Sequence, residues 1–142
     1  MFDVTVRQHV EASPDAAGAV MFDPARDADW MGGAKRAVME TPPPYGAGSR
    51  VRREGGFLGR AIAWTTETTA YEPGRRAELT IVDGPFAGEV TYAVEPDPDG
   101  GAILVIRNRG RMPGMPDFLS RMVVGASVAG DLKRLKALIE AG

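Results

Sequence analysis

Residues 116–141, with the sequence PDFLSRMVVGASVAGDLKRLKALIEA, are the stretch that decides the fold. No proline follows the first residue, so we predict one helix over the whole stretch, roughly 39 Å long at about 1.5 Å per residue. Its second half carries an apolar stripe on one face, with charged side chains off that stripe. A long amphipathic helix must bury such a stripe against another layer of the fold. The stripe consists of Val128, Leu132, Leu135 and Ile139.

The first half of this helix has a different composition. Phe118, Met122 and Val124 are apolar, as are several of the residues around them, so apolar side chains point nearly all round the helix. We therefore expect this half to be covered on more than one side. Small residues follow at mid-helix, among them Gly125 and Gly130. They permit either a close approach of a sheet or space for a guest molecule.

Upstream of the helix, strand-like runs alternate with short turns. The turns are rich in proline, glycine and aspartate, and they are too short for the crossovers that parallel strands require. Six strands joined in this way form an antiparallel meander. We predict the strands near residues 34–41, 48–54, 58–71, 76–82, 87–95 and 102–109, with Gly55-Gly56 as the turn between the second and the third.

The N-terminal segment supplies a seventh strand and two short helices. Residues 2–12 alternate between apolar and polar side chains, which is typical of a half-buried strand. Ser13 and Asp23 each precede a proline, a combination that starts a helix, and the two helices are predicted to end near Phe22 and Trp30. We therefore predict a single α+β domain over 1–142, a curved seven-stranded antiparallel sheet wrapped around the long helix.

Composition and charge exclude several classes of function. A chain of 142 residues, 44% of them hydrophobic, is long enough to bury one core. A net charge of −2 provides no positive field for nucleic acid, and the lack of cysteine excludes disulfides and thiolate metal sites. The longest apolar-leaning stretch, Met122–Gly130, is far shorter than the ~20 residues of a membrane span. Because no signal peptide is visible, we expect a cytoplasmic protein without stable membrane insertion.

Several short motifs follow one another along almost the whole chain. They are Ser13-Pro14-Asp15 after the first strand, Phe22-Asp23-Pro24 with Trp30 beyond it, Trp64 in a strand closed by YEPGRR at 71–76, Gly100-Gly101 before the last strand, and DLKRLK at 131–136. In this order and spacing the chain resembles the START-like superfamily, also called the SRPBCC or polyketide cyclase/dehydrase and lipid-transport group.

The resemblance implies a helix-grip fold with a deep cavity between sheet and helix. Family members bind lipids, sterols, polyketides, plant hormones or quinones, and a minority are cyclases or other enzymes. The family shares no catalytic motif, so the resemblance implies a cavity and not a mechanism. The residues expected to line that cavity are Trp30, Arg60, Ile62, Trp64, Thr66, Tyr92, Ile106, Met115, Phe118 and Met122.

Several of these residues also have a purely structural interpretation. Trp64 forms either a flat wall for a ligand or a filler of core volume. The hydroxyl of Tyr92, if buried, needs a ligand oxygen or a backbone carbonyl as its partner. The methionines near Phe118 suit an adaptable lid over the mouth of the cavity, although such clusters more often belong to a core.

Few residues are candidates for chemistry. Most arginines are expected to face solvent, but Arg53 or Arg60 turned inward would hold a ligand carboxylate or hydroxyl, since a buried guanidinium must be paired. No catalytic set is identified, and Tyr92, Arg53 and Thr66 are the candidates for polarising a carbonyl. His9 is the only histidine and faces solvent by alternation, which excludes a His-based triad and a two-histidine metal site.

Three functions fit these observations. The first is a binding or carrier protein for a small hydrophobic molecule such as a lipid or polyketide. The second is a polyketide cyclase or aromatase that holds its substrate in the same cavity and needs no metal, nucleotide or other cofactor. The third is a protein-interaction module that uses the apolar first half of the long helix, so either a monomer or a homodimer is expected.

Overall fold

The computed structural model describes all residues, 1–142, and contains one sheet and three α-helices. The strands pair antiparallel throughout, in the spatial order β1-β7-β6-β5-β4-β3-β2. The predicted α+β fold, with seven antiparallel strands and a long C-terminal helix, is confirmed. In chain order the elements are β1 (Phe2–Val10), α1 (Pro14–Met21), a 3-10 helix (Pro24–Arg26), α2 (Asp27–Trp30), β2 (Ala34–Met39), β3 (Arg50–Phe57), β4 (Arg60–Glu72), β5 (Arg76–Asp83), β6 (Ala87–Pro96), β7 (Ala102–Arg111) and α3 (Asp117–Ala141).

Local capping explains why the chain turns helical after β1. The Ser13 hydroxyl accepts a hydrogen bond from the Ala16 backbone N–H at 3.1 Å, and the Asp23 carboxylate accepts one from the Ala25 N–H at 3.1 Å. Each cap satisfies a backbone donor that the first helical turn leaves free, a contribution of about 1 kcal/mol. The two predicted helix starts are therefore confirmed.

The second half of α3 packs as its apolar stripe predicts. Leu132 and Leu135 are fully buried, and Val128 and Ile139 are nearly so. The helix lies mainly against β1, with smaller contacts to α1, α2 and β7. The spacing of these residues, every three or four positions, is what places them on one side of the helix.

The expectation that the first half of α3 is covered on several sides is wrong. Phe118 and Met122 are 67% and 66% exposed, and in this half only Ser120 and Val124 are buried. The reason is geometric: α3 has neighbours on its sheet side alone over these turns, so the outer apolar side chains have no second layer to pack against. No helix of this chain is both long and apolar enough to cross a bilayer.

The turn between β3 and β4 also differs from the prediction. Gly55-Gly56 lies inside β3, and the chain reverses at Leu58-Gly59, where both residues have positive φ, +52° and +79°. A two-residue hairpin of type I′ requires this conformation. A side chain at Gly55 would place its Cβ 1.8 Å from the Gly33 carbonyl oxygen, so glycine is needed there for the close approach of the chain before β2.

The antiparallel order brings several connections to one end of the sheet. The start of β1, the end of β7, the β5–β6 loop and the β3–β4 turn all lie there. The first turn of α3 is tied to the same place, since the Met1 amino group binds the Asp117 carboxylate at 2.6 Å. We call it the α3-start end. Six of the seven large apolar side chains that are exposed belong to it: Met1, Leu58, Val82, Phe118, Leu119 and Met122.

Candidate ligand-binding site

A cavity of about 180 Å³ lies between α3 and the concave face of the sheet. Sixteen of the 23 residues that line it are hydrophobic. On the helix the wall is formed by Val124, Ser127, Val128 and Asp131, which recur at helical spacing and therefore share one face. The cavity exists because this face carries small or short side chains opposite the middle of a curved sheet.

Aromatic rings form much of the remaining wall. Trp30 from α2 and Tyr92 from β6 meet edge to face with ring centroids 6.0 Å apart. Phe57 and Phe86 make a second edge-to-face pair at 5.5 Å, next to the β3–β4 turn. Trp64 of β4 also contributes to the wall. Flat rings on several sides favour a flat apolar guest.

The polar groups of the cavity wall are few. Glu89 and Arg109 line it together and form an ion pair with one another. Asn108, Ser127 and Asp131 supply an amide, a hydroxyl and a carboxyl group. Because Arg109 is already paired, the wall offers no unpaired cation to an anionic ligand.

Asp131 connects α3 to the segment that follows α2. Its Oδ1 atom accepts hydrogen bonds from the Gly32 backbone N–H at 2.9 Å and from Arg134, whose Nε donates in turn to the Trp30 carbonyl oxygen at 3.0 Å. Burial raises the pKa of the Asp131 carboxyl above its ordinary value, although the Gly32 N–H and the Arg134 charge act in the opposite direction. We call the part of the cavity formed by Trp30, Tyr92 and Asp131 its inner end.

Trp30 contains the one buried side-chain nitrogen or oxygen without a hydrogen-bond partner, its indole Nε1. The residue is 1% exposed and lines the cavity. Burial of the neighbouring Tyr92 raises the pKa of its hydroxyl strongly, so the group stays protonated. The inner end therefore holds two neutral polar groups and one carboxyl.

A buried ion pair joins α2 to the sheet. The Arg53 Nε and Nη2 atoms lie 3.0 and 2.9 Å from Asp27 Oδ2, and Arg53 Nη1 donates to the Thr66 hydroxyl at 2.7 Å. Burial raises the pKa of Asp27 to about 6 even though the Arg53 charge lowers it, whereas the pKa of Arg53 is raised because the attraction of Asp27 and neighbouring groups outweighs its own burial. Arg53 thus points inward, but its partners are protein groups.

The structure brings together half of the expected lining residues. Trp30, Ile62, Trp64, Tyr92 and Ile106 form part of the cavity wall.

The other expected residues, and the candidate Arg53, do not line the cavity. Arg60 is exposed because it directly follows the β3–β4 turn. Thr66 is buried, but its hydroxyl binds Arg53. Phe118 and Met122 lie on the outer side of α3, and Met115 lies in the loop before that helix.

Other lining residues were missed from the sequence. Asp131 and Ser127 continue the spacing of Val124 and Val128, so the helical period already places them on the inner face. Phe57 and Phe86 flank turns, where strand alternation gives no guidance, and their pairing depends on the fold. His9 lies away from the cavity, where Asp97 and Glu11 bind its two ring nitrogens and raise its pKa.

A long helix gripped by a curved antiparallel sheet, with an apolar cavity between them, defines a protein of the START-like helix-grip class. The chain belongs to the family described as polyketide cyclase / dehydrase and lipid transport, whose model matches residues 1–140. No curated protein matches the sequence significantly.

Solved structures with the same fold are distant in sequence. A START superfamily protein from Mycobacterium smegmatis has a TM-score of 0.85 at 14% identity, over 99% of both chains. The Zhui aromatase/cyclase from Streptomyces sp. R1128 has a TM-score of 0.74 at 18% identity, over 97% of this chain and 93% of that one. The di-domain ARO/CYC protein StfQ of steffimycin biosynthesis has a TM-score of 0.78 at 17% identity, over 98% of this chain and 50% of that one. At these identities the likeness shows a common fold alone.

Proposed function

We propose that this protein binds a small, uncharged, mostly apolar molecule in the cavity between α3 and the sheet, as a carrier or binding protein. The single observation that supports this is the cavity itself, an apolar space of about 180 Å³ with aromatic walls. Concave, mostly apolar sites with a few polar groups are the usual form of small-molecule sites. A chain that only needed a stable core would gain by filling this space.

The size of the cavity limits the size of the ligand. Its volume of about 180 Å³ is below the ~300–1,000 Å³ of most ligand pockets, and close to an engineered cavity of about 150 Å³ that binds benzene. A compact molecule with one ring fits the cavity as it stands. A long lipid or a multi-ring polyketide exceeds this volume and would extend out of the cavity, which is partly open to solvent.

A matched pair of variants on α3 tests this proposal. Ser127 lines the cavity, and the preceding Ala126 is exposed on the outer face. Ser127→Phe fills the cavity, whereas Ala126→Phe adds the same ring outside it. We expect native mass spectrometry of protein purified from its own host to find a retained small molecule in the wild type and in Ala126→Phe, and none in Ser127→Phe.

Two results of this experiment contradict the proposal. One is equal retention in Ser127→Phe, which places the molecule elsewhere on the protein. The other is a wild type that retains no molecule and also fails to bind toluene, a probe small enough for the cavity. In that case the cavity has no binding function.

The alternative is a cyclase or aromatase that folds a reactive chain inside the same cavity. Two structural neighbours carry that description, the Zhui aromatase/cyclase and the ARO/CYC protein StfQ. Tyr92 is the candidate for polarising a carbonyl, because its hydroxyl stays protonated and it lines the cavity. The alternative predicts turnover of a polyketide mimic that Tyr92→Phe abolishes without loss of binding, and it is wrong if Tyr92→Phe turns over at the wild-type rate.

The exposed apolar face of α3 is relevant to the oligomeric state. Phe118, Leu119 and Met122 are exposed on neighbouring turns, and they suit a contact between two copies of the chain as well as a free monomer surface. Both a monomer and a homodimer are compatible with the proposed binding function. Sedimentation velocity of the wild type and of Met122→Ser distinguishes them, since only a dimer joined through this face dissociates in the variant.

A further inference from the structure

We propose that the inner end of the cavity binds a neutral hydroxyl group, so that the ligand is a single-ring phenol or a similar aromatic alcohol. Trp30 donates a hydrogen bond to the oxygen of that hydroxyl, and Asp131 accepts its proton. This inference rests on the proposed binding function and specifies the chemistry of the ligand.

The first observation is the unused donor on Trp30. Its indole Nε1 is buried in the wall and has no acceptor in the protein. A buried donor that lacks a partner costs roughly 1–3 kcal/mol, and almost all buried polar groups in native proteins have one. Because Nε1 has almost no accessible surface in this structure, a ligand oxygen reaches it only when the side chains over it move on binding. That oxygen then satisfies the donor.

The second observation is the free oxygen of Asp131. Both hydrogen bonds that the protein makes to this carboxyl reach Oδ1, which leaves Oδ2 as an acceptor. The side chain is 16% exposed and lines the cavity. Its Oδ1 atom is held at the segment that follows Trp30, since the Gly32 backbone N–H donates to it at 2.9 Å. A donor and an acceptor on two residues of the same cavity wall match a hydroxyl, which both accepts and donates.

The charges around the cavity exclude a carboxylate in the same position. Asp131 would repel it, and Arg109, the cation of the wall, is paired with Glu89. Arg134 is already bound to Asp131 and to the Trp30 carbonyl oxygen. A charged ligand would therefore be desolvated without an unpaired cation to compensate it. The ligand group at this end is neutral.

The walls and the volume determine the rest of the molecule. Trp30 and Tyr92 present ring edges and faces around the inner end, and such surfaces pack best against another flat ring. The volume of about 180 Å³ holds one ring with small substituents. Together these features define an aromatic ring that carries one hydroxyl group.

Three probes of nearly equal shape test this inference: toluene, p-cresol and p-toluate. They differ at one position, which carries a hydrogen atom, a hydroxyl or a carboxylate. We expect wild-type protein to bind p-cresol at least ten-fold more tightly than either of the others. In ¹H–¹⁵N spectra the indole N–H signal of Trp30 should move further with p-cresol than with toluene. The signal of Trp64, the only other tryptophan, which lines the cavity outside the inner end, should move about equally with both probes.

Variants of the two polar groups complete the experiment. Trp30→Phe removes the donor and Asp131→Asn removes the acceptor, so the preference for p-cresol over toluene should fall below about three-fold in each. Trp64→Phe, the control, changes the aromatic wall without touching the inner end, and it should lower the affinity for both probes alike. If Trp30→Phe does not fold, Asp131→Asn and the wild-type spectra still decide the question.

The possible failures separate the two proposals. Equal affinity for toluene and p-cresol in the wild type overturns the hydroxyl site and leaves the binding function intact. The tightest binding by p-toluate overturns the hydroxyl site and also the uncharged character of the proposed ligand. A preference for p-cresol that persists in both variants also overturns the hydroxyl site, since the polar contact then lies elsewhere. Failure of all three probes to bind overturns the hydroxyl site, and it overturns the binding function as well when the wild type purified from its own host retains no molecule.

Discussion

The side chains of Asp27 and Arg53 are each only 3% exposed. Every other ion pair has at least one side chain that is 29% exposed or more. Their charges are taken out of water, and only close contact and the hydrogen bond to Thr66 compensate for that cost. The sequence indicated that Arg53 needed a partner if it pointed inward. It did not indicate Asp27, because the contact joins residues 26 positions apart and depends on how α2 seats against the sheet.

Asp27 should make stability depend on pH in an unusual direction. Its pKa is raised from 3.8 to about 6 in the folded protein, so between those values the folded state holds the proton more tightly than the unfolded state. The contribution of this group is then fully present below about pH 4 and is lost as pH rises through about 6, on the order of 3 kcal/mol in all. We predict that the stability of the wild type relative to Asp27→Asn falls by roughly that amount from pH 4 to pH 7 in urea unfolding. A difference that grows with pH contradicts this.

Leu58 is a second residue whose backbone conformation leads to a prediction. It has φ of +52° at the tip of the β3–β4 turn and is 62% exposed. Asparagine adopts this region more readily than leucine, so Leu58→Asn should stabilise the protein by about 0.5–1 kcal/mol. Leu58→Ala controls for the loss of exposed apolar surface and should give no such gain. Chemical denaturation measures both, and a destabilised Leu58→Asn argues against strain at this turn.

At the scale of elements, α3 shows how far hydrophobic periodicity predicts packing. Its second half follows the pattern because every stripe residue has a layer beneath it. In its first half α3 carries apolar residues on several sides. The sequence of this half does not reveal that only one of those sides packs against another element. β3 shows a related limit: Gly55-Gly56 looks like a turn, but the requirement there is space for the backbone at Gly33. Local sequence cannot distinguish those two uses of glycine.

The two halves of α3 should differ accordingly in their contribution to stability. Leu132 is fully buried in the core and Leu119 is 38% exposed on the outer face. Truncation of a buried leucine leaves a cavity, so Leu132→Ala should lower the free energy of unfolding by about 2–5 kcal/mol. The same change at Leu119 should cost at most about 0.5 kcal/mol. Losses of similar size at both positions contradict the placement of the helix described above.

At the scale of the whole molecule, the order of elements along the chain was enough to predict the fold. One strand, two short helices, six strands and a long helix leave the concave sheet as the only surface for α3. The cavity was harder to predict, since its volume is the small difference between two packed surfaces. Predicted wall residues on regular strands, such as Ile62 and Ile106, reached it. Arg60 near a turn, and the predicted residues around the start of α3, did not, because their direction is set by how the layers meet. Thr66 lies inside β4 and does not line the cavity either, since its hydroxyl binds Arg53.

The cavity also links binding to global stability. A ligand that binds only the folded state stabilises it by RT ln(1 + [L]/Kd), about 2.7 kcal/mol when the ligand concentration is 100 times Kd. For a chain of this size that corresponds to a rise in Tm of roughly 5–10 °C. We predict such a rise with p-cresol for the wild type and for Ala126→Phe, and no rise for Ser127→Phe, whose ring occupies the same space. Scanning calorimetry without ligand shows first whether Ser127→Phe folds cooperatively. A rise of equal size in Ser127→Phe means that the ligand binds outside the cavity, and the link between this space and the stability of the fold is then wrong.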